Sequence, residues 1–290
     1  MRRLNAGAVG LLLVLCCVGT AHGFVITFPP GTDVSGTIND KFGHGTGFTD
    51  RLPGTGESLP ANDPNLDLSA NPGRLTIHST PDFLPNPVSN PALAEAIGVL
   101  LPNPGANDIT ISVGLRDVHL NEWSDRLGLY VASSSGGDVL IGGVHMEHQW
   151  QYGPPGLYQY FFTEYVNGLS IPDHYFITPA PYPPIGTPGI WENGDDIDLT
   201  LSRTGGLWKI SWNDLTKASQ GESPSWAVSD LDNQDLYVGV HYVNARVAVS
   251  STSEIEYFSV TVPEPSTLVL LGMGAISLLA YVWRRRKQTA

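Results

Sequence analysis

Apolar and polar residues alternate along much of this chain. In DDIDLTLS, Ile197, Leu199 and Leu201 take every second position, and Trp208, Ile210 and Trp212 do the same in LWKISWN after a Thr-Gly-Gly turn. Side chains two apart share one face of an extended strand, so each run predicts a strand with one apolar side, and together they predict a hairpin. The same period runs through DITISVGL (Ile109, Ile111, Val113, Leu115), LYVGVHY (Leu236, Val238, Val240, Tyr242) and EYFSVTV (Phe258, Val260, Val262). FVITF from Phe24 and RLTIHS from Arg74 add earlier strands. PALAEAIGVLL from Pro91 reads differently: with a proline suited to a first helical turn it looks helical, and the flanking PNP motifs make it a short element or an extended lid between strands. Strands at this density, without helices between them, predict an all-β antiparallel β-sandwich or jelly roll. No repeat or internal boundary interrupts residues 24–262, which read as one domain.

The two ends break the pattern. Residues 1–23 carry Arg2 and Arg3, then the apolar run LLLVLCCVGTA, then small residues at Ala21 and Gly23. That order predicts a secretory signal peptide cut after Ala21 or Gly23. Cys16 and Cys17 are the two cysteines of the chain, so the exported form would hold no thiol. At the other end, residues 267–283 run without a charge and are followed by RRRK. Seventeen apolar and small residues are at the lower limit of a membrane-spanning helix, and the basic cluster would stay on the cytoplasmic side. These features predict a single C-terminal transmembrane helix with the body outside.

Charge sharpens this reading. Between Phe24 and Val262 nine Lys/Arg oppose 27 Asp/Glu, a net charge of −18. A body so acidic repels phosphate backbones, which argues against nucleic acid as a partner. Glycine (32) and proline (23) are frequent, as suits many short strands joined by turns.

Pro263, Glu264 and Pro265, followed by the apolar stretch and by Arg284, Arg285 and Arg286, resemble the PEP-CTERM sorting signal of bacterial exported proteins. The resemblance covers about the last 28 residues and implies an exosortase as partner, a membrane cysteine transpeptidase that cuts near the triplet. The two prolines suit that role, because they forbid helix and keep the segment extended. It implies a cell-surface or extracellular destination. A second resemblance rests on strand order. NDITISVGL, RLGLYVASSSGGDVLIGGVH, GDDIDLTLSRTGGLWKISWND, DLYVGVHYVN and EIEYFSV are similar to the closing strands of concanavalin A-like lectin/glucanase domains. It implies the sandwich fold, and with it either sugar binding, glycan cleavage or scaffolding.

Candidate chemistry follows from that fold. Laminarinase-type glycosidases of this class carry two catalytic glutamates around an aspartate. Glu254-Ile255-Glu256 is the nearest match, but it lacks the aspartate and sits in the last strand, where that family does not keep its site. The preferred expectation is therefore no catalytic residue, with an extracellular glycoside hydrolase as the alternative. Trp150, Tyr152, Tyr158, Tyr160 and Trp191 could form a platform for sugar rings, with Gln149, Gln151 and Gln159 bonding hydroxyls of an extracellular polysaccharide. Alternation in LYQYFFTEY sends half of its rings inward, so core packing competes with this use. His145, Glu147 and His148 do not form a metal site on one strand, since His148 points away from the other two; they read as polar surface. Asp195, Asp196 and Asp198 have the oxygen chemistry for structural calcium, without a glycine-centred EF-hand loop. The sequence shows no nucleophile elbow, phosphate loop or dinucleotide fingerprint, and no other cofactor is expected.

Overall fold

The computed structural model describes residues 22–51, 62–79, 96–105, 107–120, 126–134, 138–147, 157–166, 169–170, 191–228, 231–243, 251–262 and 278. The described residues form sixteen strands: β1 (His22–Thr27), β2 (Asp50–Arg51), β3 (Leu66–Asp67), β4 (Leu75–Ser79), β5 (Ala96–Leu101), β6 (Ile109–Val118), β7 (Arg126–Ser133) and β8 (Asp138–Glu147), then β9 (Leu157–Val166), β10 (Leu169–Ser170), β11 (Asp195–Thr204), β12 (Leu207–Asp214), β13 (Ser219–Glu222), β14 (Trp226–Ala227), β15 (Leu236–Val243) and β16 (Ser251–Val262). One sheet runs β13-β12-β11-β6-β16-β4-β3, with β1 beside β16 and β14 beside β12; the other runs β10-β9-β8-β7-β15-β5-β2. The chain divides into two units, Phe24–Thr261 and a second made of Met1–Gly23 with Val262–Ala290. The first unit holds both sheets.

The predicted alternation becomes the interior of the nine-stranded sheet. Ile109, Ile111, Val113 and Leu115 on β6, and Ile197, Leu199 and Leu201 on β11, are all fully buried, and β11 alternates buried and half-buried along its length. The predicted hairpin is β11·β12, with Leu201 opposite Ile210 across the Gly205–Gly206 turn. Both turn glycines have positive φ, 57° and 81°, which side chains with a Cβ disfavour.

The sheets pack face to face through aromatic pairs. Tyr160 of β9 stacks on Trp212 of β12, and Phe162 of β9 meets Trp226 of β14 with ring centroids 4.7 Å apart. Gly142 on β8 is where they approach closely: a Cβ there would lie 2.5 Å from Ile210 Cδ1 and 3.1 Å from Phe162 Cδ2. Beside them, Tyr242 of β15 donates its hydroxyl to the His78 carbonyl of β4 at 2.6 Å.

The expected helix at Pro91 is a strand where it is described. Ala96–Leu101 is β5, antiparallel to β15, with Val99 opposite Val238. The reason lies on the far side of the seven-stranded sheet. Ala96, Tyr130, Ala132, Val139 and Ile141 form a second buried apolar cluster, against which Tyr237 packs. Strands buried on both faces lose the period of two and read as continuous apolar runs. A run of that kind, in AIGVLL, is indistinguishable by pattern from a short buried helix.

Two buried charges organise the loops. Arg203 continues the inward parity of Leu201, and its guanidinium is fully buried. It donates to the carbonyls of Gly105 and Asn107, pairs with Asp232 Oδ1 at 2.8 Å, and lies over the Trp208 ring. Asp40, also fully buried, accepts backbone N–H bonds from Phe42, His44 and Leu68 at 2.9, 2.8 and 3.1 Å. Burial raises its carboxyl, and those three bonds reverse the effect and hold it below the ordinary aspartate value.

Candidate functional site

The aromatic candidates divide. Trp191 is 0% exposed and Tyr160 is 5% exposed, so neither ring offers a face to a sugar. Tyr160 is occupied by Trp212, at 4.4 Å between centroids and 16° between planes. Burial pushes its hydroxyl pKa up, and the carboxylates of Asp214 and Asp195 add to the rise. Trp150 and Tyr152 lie outside the described residues, and so does the side chain of Tyr158.

The expected calcium carboxylates do not converge. Asp195 faces inward, accepts the Glu192 N–H and pairs with Lys217 Nζ at 2.9 Å. Asp196 accepts the Asp117 N–H, at 3.0 Å, while Asp198 is held by Arg116 at 2.9 Å. Neighbouring residues of a strand project to opposite faces, and the irregularity between Asp195 and Ile197 does not bring the three together. Among the described residues, no group of three His, Cys, Asp or Glu could hold a metal ion.

The same end of β11 and β12 contains a carboxyl pair that no sequence pattern singles out. Asp214 is fully buried and accepts the Lys217 N–H at 2.8 Å. Burial pushes its carboxyl pKa up; that hydrogen bond works against the rise, and the Asp195 carboxyl beside it adds to it. Both carboxyls are buried, and both act on the Tyr160 hydroxyl.

Glu254 and Glu256 belong to a polar network on the outer face of the nine-stranded sheet. Glu254, opposite Arg116 in register, is bonded by Asn71 and pairs with Arg74 Nη1 at 2.5 Å. Glu256 falls at a register shift between Ile255 and Tyr257, where Arg116 donates to its Oε2 from Nε and Nη2 at 2.8 and 2.6 Å. Arg116 thus ties three central strands, β11, β6 and β16, through Asp198 and Glu256. Its position in the polar half of β6 gave no sign of this. Arg203 did leave a signal: an arginine at the next inward position after Ile197, Leu199 and Leu201 is a buried cation in need of partners.

His145, expected on a polar surface, is buried in β8 opposite Arg126. Burial, aided by Arg126, lowers its pKa to about 3, so the ring is neutral at ordinary pH. The Glu147 side chain and His148 lie outside the described residues.

Pro263, Glu264, Pro265, Arg284, Arg285 and Arg286 also lie outside the described residues, as do the signal peptide through Ala21 and, apart from Leu278, the span 267–283. No helix among the described residues is long and apolar enough to cross a membrane. What decides the tail is its own sequence. The chain carries a PEP-CTERM protein-sorting motif at residues 261–287. The PEP-CTERM motif marks a secreted protein sorted to the cell surface, and it implies processing by an exosortase. A search of curated proteins returns no match. Among solved structures, the CBM2 module of the Lactobacillus casei BL23 phage J-1 evolved Dit aligns at a TM-score of 0.50 and 9% identity, over 85% of this chain and 100% of that one. Peanut lectin aligns at 0.47 and 8% identity, over 84% and 98% of the two chains. The GH43 BlXynB protein from Bacillus licheniformis aligns at 0.48 and 10% identity; the match covers 69% of this chain and 35% of that one. The likeness to the CBM2 module agrees with the two-sheet, all-β fold of the described residues.

Proposed function

We propose that this protein is exported through the inner membrane and held there by the apolar segment 267–283. An exosortase reads Pro263-Glu264-Pro265 and the arginines Arg284, Arg285 and Arg286, then sorts the protein to the cell surface. The observation that carries this reading is the PEP-CTERM motif at residues 261–287, joined without a spacer to the last strand of the sandwich. The body is a non-catalytic module displayed outside the membrane, in contact with extracellular polysaccharide. Support for the non-catalytic reading comes from Glu254 and Glu256, each held by an arginine on the outer sheet face. Glycan binding by the body would rest on Trp150, Tyr152 and Tyr158 rather than on the buried Tyr160 and Trp191.

Expression with and without residues 263–290, followed by fractionation, tests the sorting role. The intact chain is expected in the membrane and surface fractions and the truncated chain in the exported soluble fraction. Equal release of both forms would remove the case for sorting through the tail.

A further inference from the structure

The sorting motif and the sandwich overlap. The motif begins at residue 261, whereas β16 runs to Val262. Thr261 is opposite Thr110 and Val260 opposite Ile111 in the ladder with β6, and Val262 is buried. β16 is an interior strand, flanked by β6 on one side and by β4 and β1 on the other. The next residue is Pro263, which has no N–H to donate, so the ladder stops where the triplet starts. A proline also restricts the residue before it to extended conformations, which Val262 already has.

A processing enzyme grips an extended peptide, with main-chain hydrogen bonds to residues on both sides of the bond it cuts. Here the residues on the body side of the triplet have those hydrogen-bonding groups engaged in a sheet. Cleavage would break one tail peptide bond: the body's acyl carbon passes to the enzyme thiol and then to water or an amine, and the released tail takes the proton on its new amine.

We propose that the end of β16 is a latch on tail removal. Val260–Val262 must leave the sheet before the enzyme can seat the Pro263-Glu264-Pro265 triplet, so the rate of sorting follows the local opening of this strand end. Where opening and closing are fast relative to cutting, cleavage tracks the population of the opened form. The latch rests on the proposed processing of the tail and adds a control over its timing: a folded body is processed at the pace set by its own last rungs.

The test is pulse-labelling of the full chain in membranes that carry the processing enzyme, with three variants. One has a short Gly-Ser linker between Val262 and Pro263, the second has the same linker between Ser266 and Thr267, and the third is Val260→Ala. The first linker leaves the sandwich intact and frees the triplet from the strand. It is expected to lose the tail several-fold faster than the unmodified chain, as is Val260→Ala, while the second linker leaves the rate unchanged. Equal rates in all four chains would overturn the latch and leave the sorting role standing. A tail retained in every form would overturn both.

Discussion

The ring of Tyr160 on one sheet stacks on Trp212 of the other, 4.4 Å between centroids, and the Tyr160 hydroxyl lies in the field of two carboxyls. The ring contact and the hydroxyl contribute in opposite senses, because the first buries apolar area while the second must be desolvated. Tyr160→Ala is expected to lower the unfolding free energy by about 3–5 kcal/mol, the usual range for removing a buried aromatic ring. Tyr160→Phe keeps the stack and is expected to cost much less. Urea unfolding of the exported body measures both, and equal losses would mean that the hydroxyl, not the stack, holds the sheets together.

Arg203 and Lys209 give a contrast between buried and exposed charge. Arg203→Ala removes the charged donor of the Gly105 and Asn107 carbonyls and leaves Asp232, 28% exposed, to water, so the expected loss is about 1.5–3 kcal/mol. The Lys209–Glu222 pair, at 2.7 Å but with both side chains exposed, is expected to contribute under about 1 kcal/mol. Chemical denaturation of Arg203→Ala and Glu222→Gln gives the ranking; a comparable loss in the two variants would refute it.

Acid should weaken the body before Asp67 protonates. His145 and His241 are both lowered to about 3 by burial, with Arg126 contributing, against 6.5 when exposed in the unfolded chain. The unfolded state therefore binds more protons between those values, and stability falls as pH drops from 6.5 towards 3, with a slope of up to about 1.4 kcal/mol per pH unit for each ring. Asp67 acts lower. Burial raises its carboxyl, but hydrogen bonds from Lys41 and Ser69 outweigh that and hold it at about 2, so its contribution is lost between 3.8 and 2. Thermal melts across this range should show the decline already at about pH 5; a flat profile down to about pH 4 would exclude it.

Asp214 titrates with the opposite sign. Its folded carboxyl is raised by burial and by Asp195, so it stabilises the fold below its unfolded pKa and loses that contribution as pH rises through the folded value. Asp214→Asn supplies a permanently neutral side chain. It is expected to leave the body as stable as, or more stable than, the unmodified one near neutral pH, and a loss of more than about 2 kcal/mol there would argue for an ionised Asp214.

Asp40 accepts from three backbone N–H groups, those of Phe42 and His44 between β1 and β2 and that of Leu68 just after β3. Asp40→Ala should strand those donors and cost about 2–3 kcal/mol, whereas Asp40→Asn retains one acceptor oxygen and should cost less. Trypsin cleavage after the neighbouring Lys41 offers a second measurement, expected to accelerate in the alanine variant alone.

Strands with one wet face declared themselves in the amino-acid pattern. β6, β11 and β12 alternate because Thr110, Ser112, Thr200 and Ser202 look outward while their apolar neighbours look inward. β5 and β7 are buried on both sides, so AIGVLL carried no period and was open to a helical reading. The tail was legible because its sorting motif is a composition signature confined to a short window. The carboxyl pair was not, since Asp195 and Asp214 lie on different strands and meet only through the register that sets Ile197 opposite Asp214. Nor could spacing alone tell that His145 would be buried.

β1 and β16 are neighbours in one sheet, and the Phe24 ring lies 6.1 Å from that of Phe258. The opening and closing strands of the body are thereby sewn along a common seam. Joining the ends covalently and cutting the loop elsewhere, at the Gly205–Gly206 turn for example, is expected to preserve the strand pairings described here, so the architecture suits circular permutation.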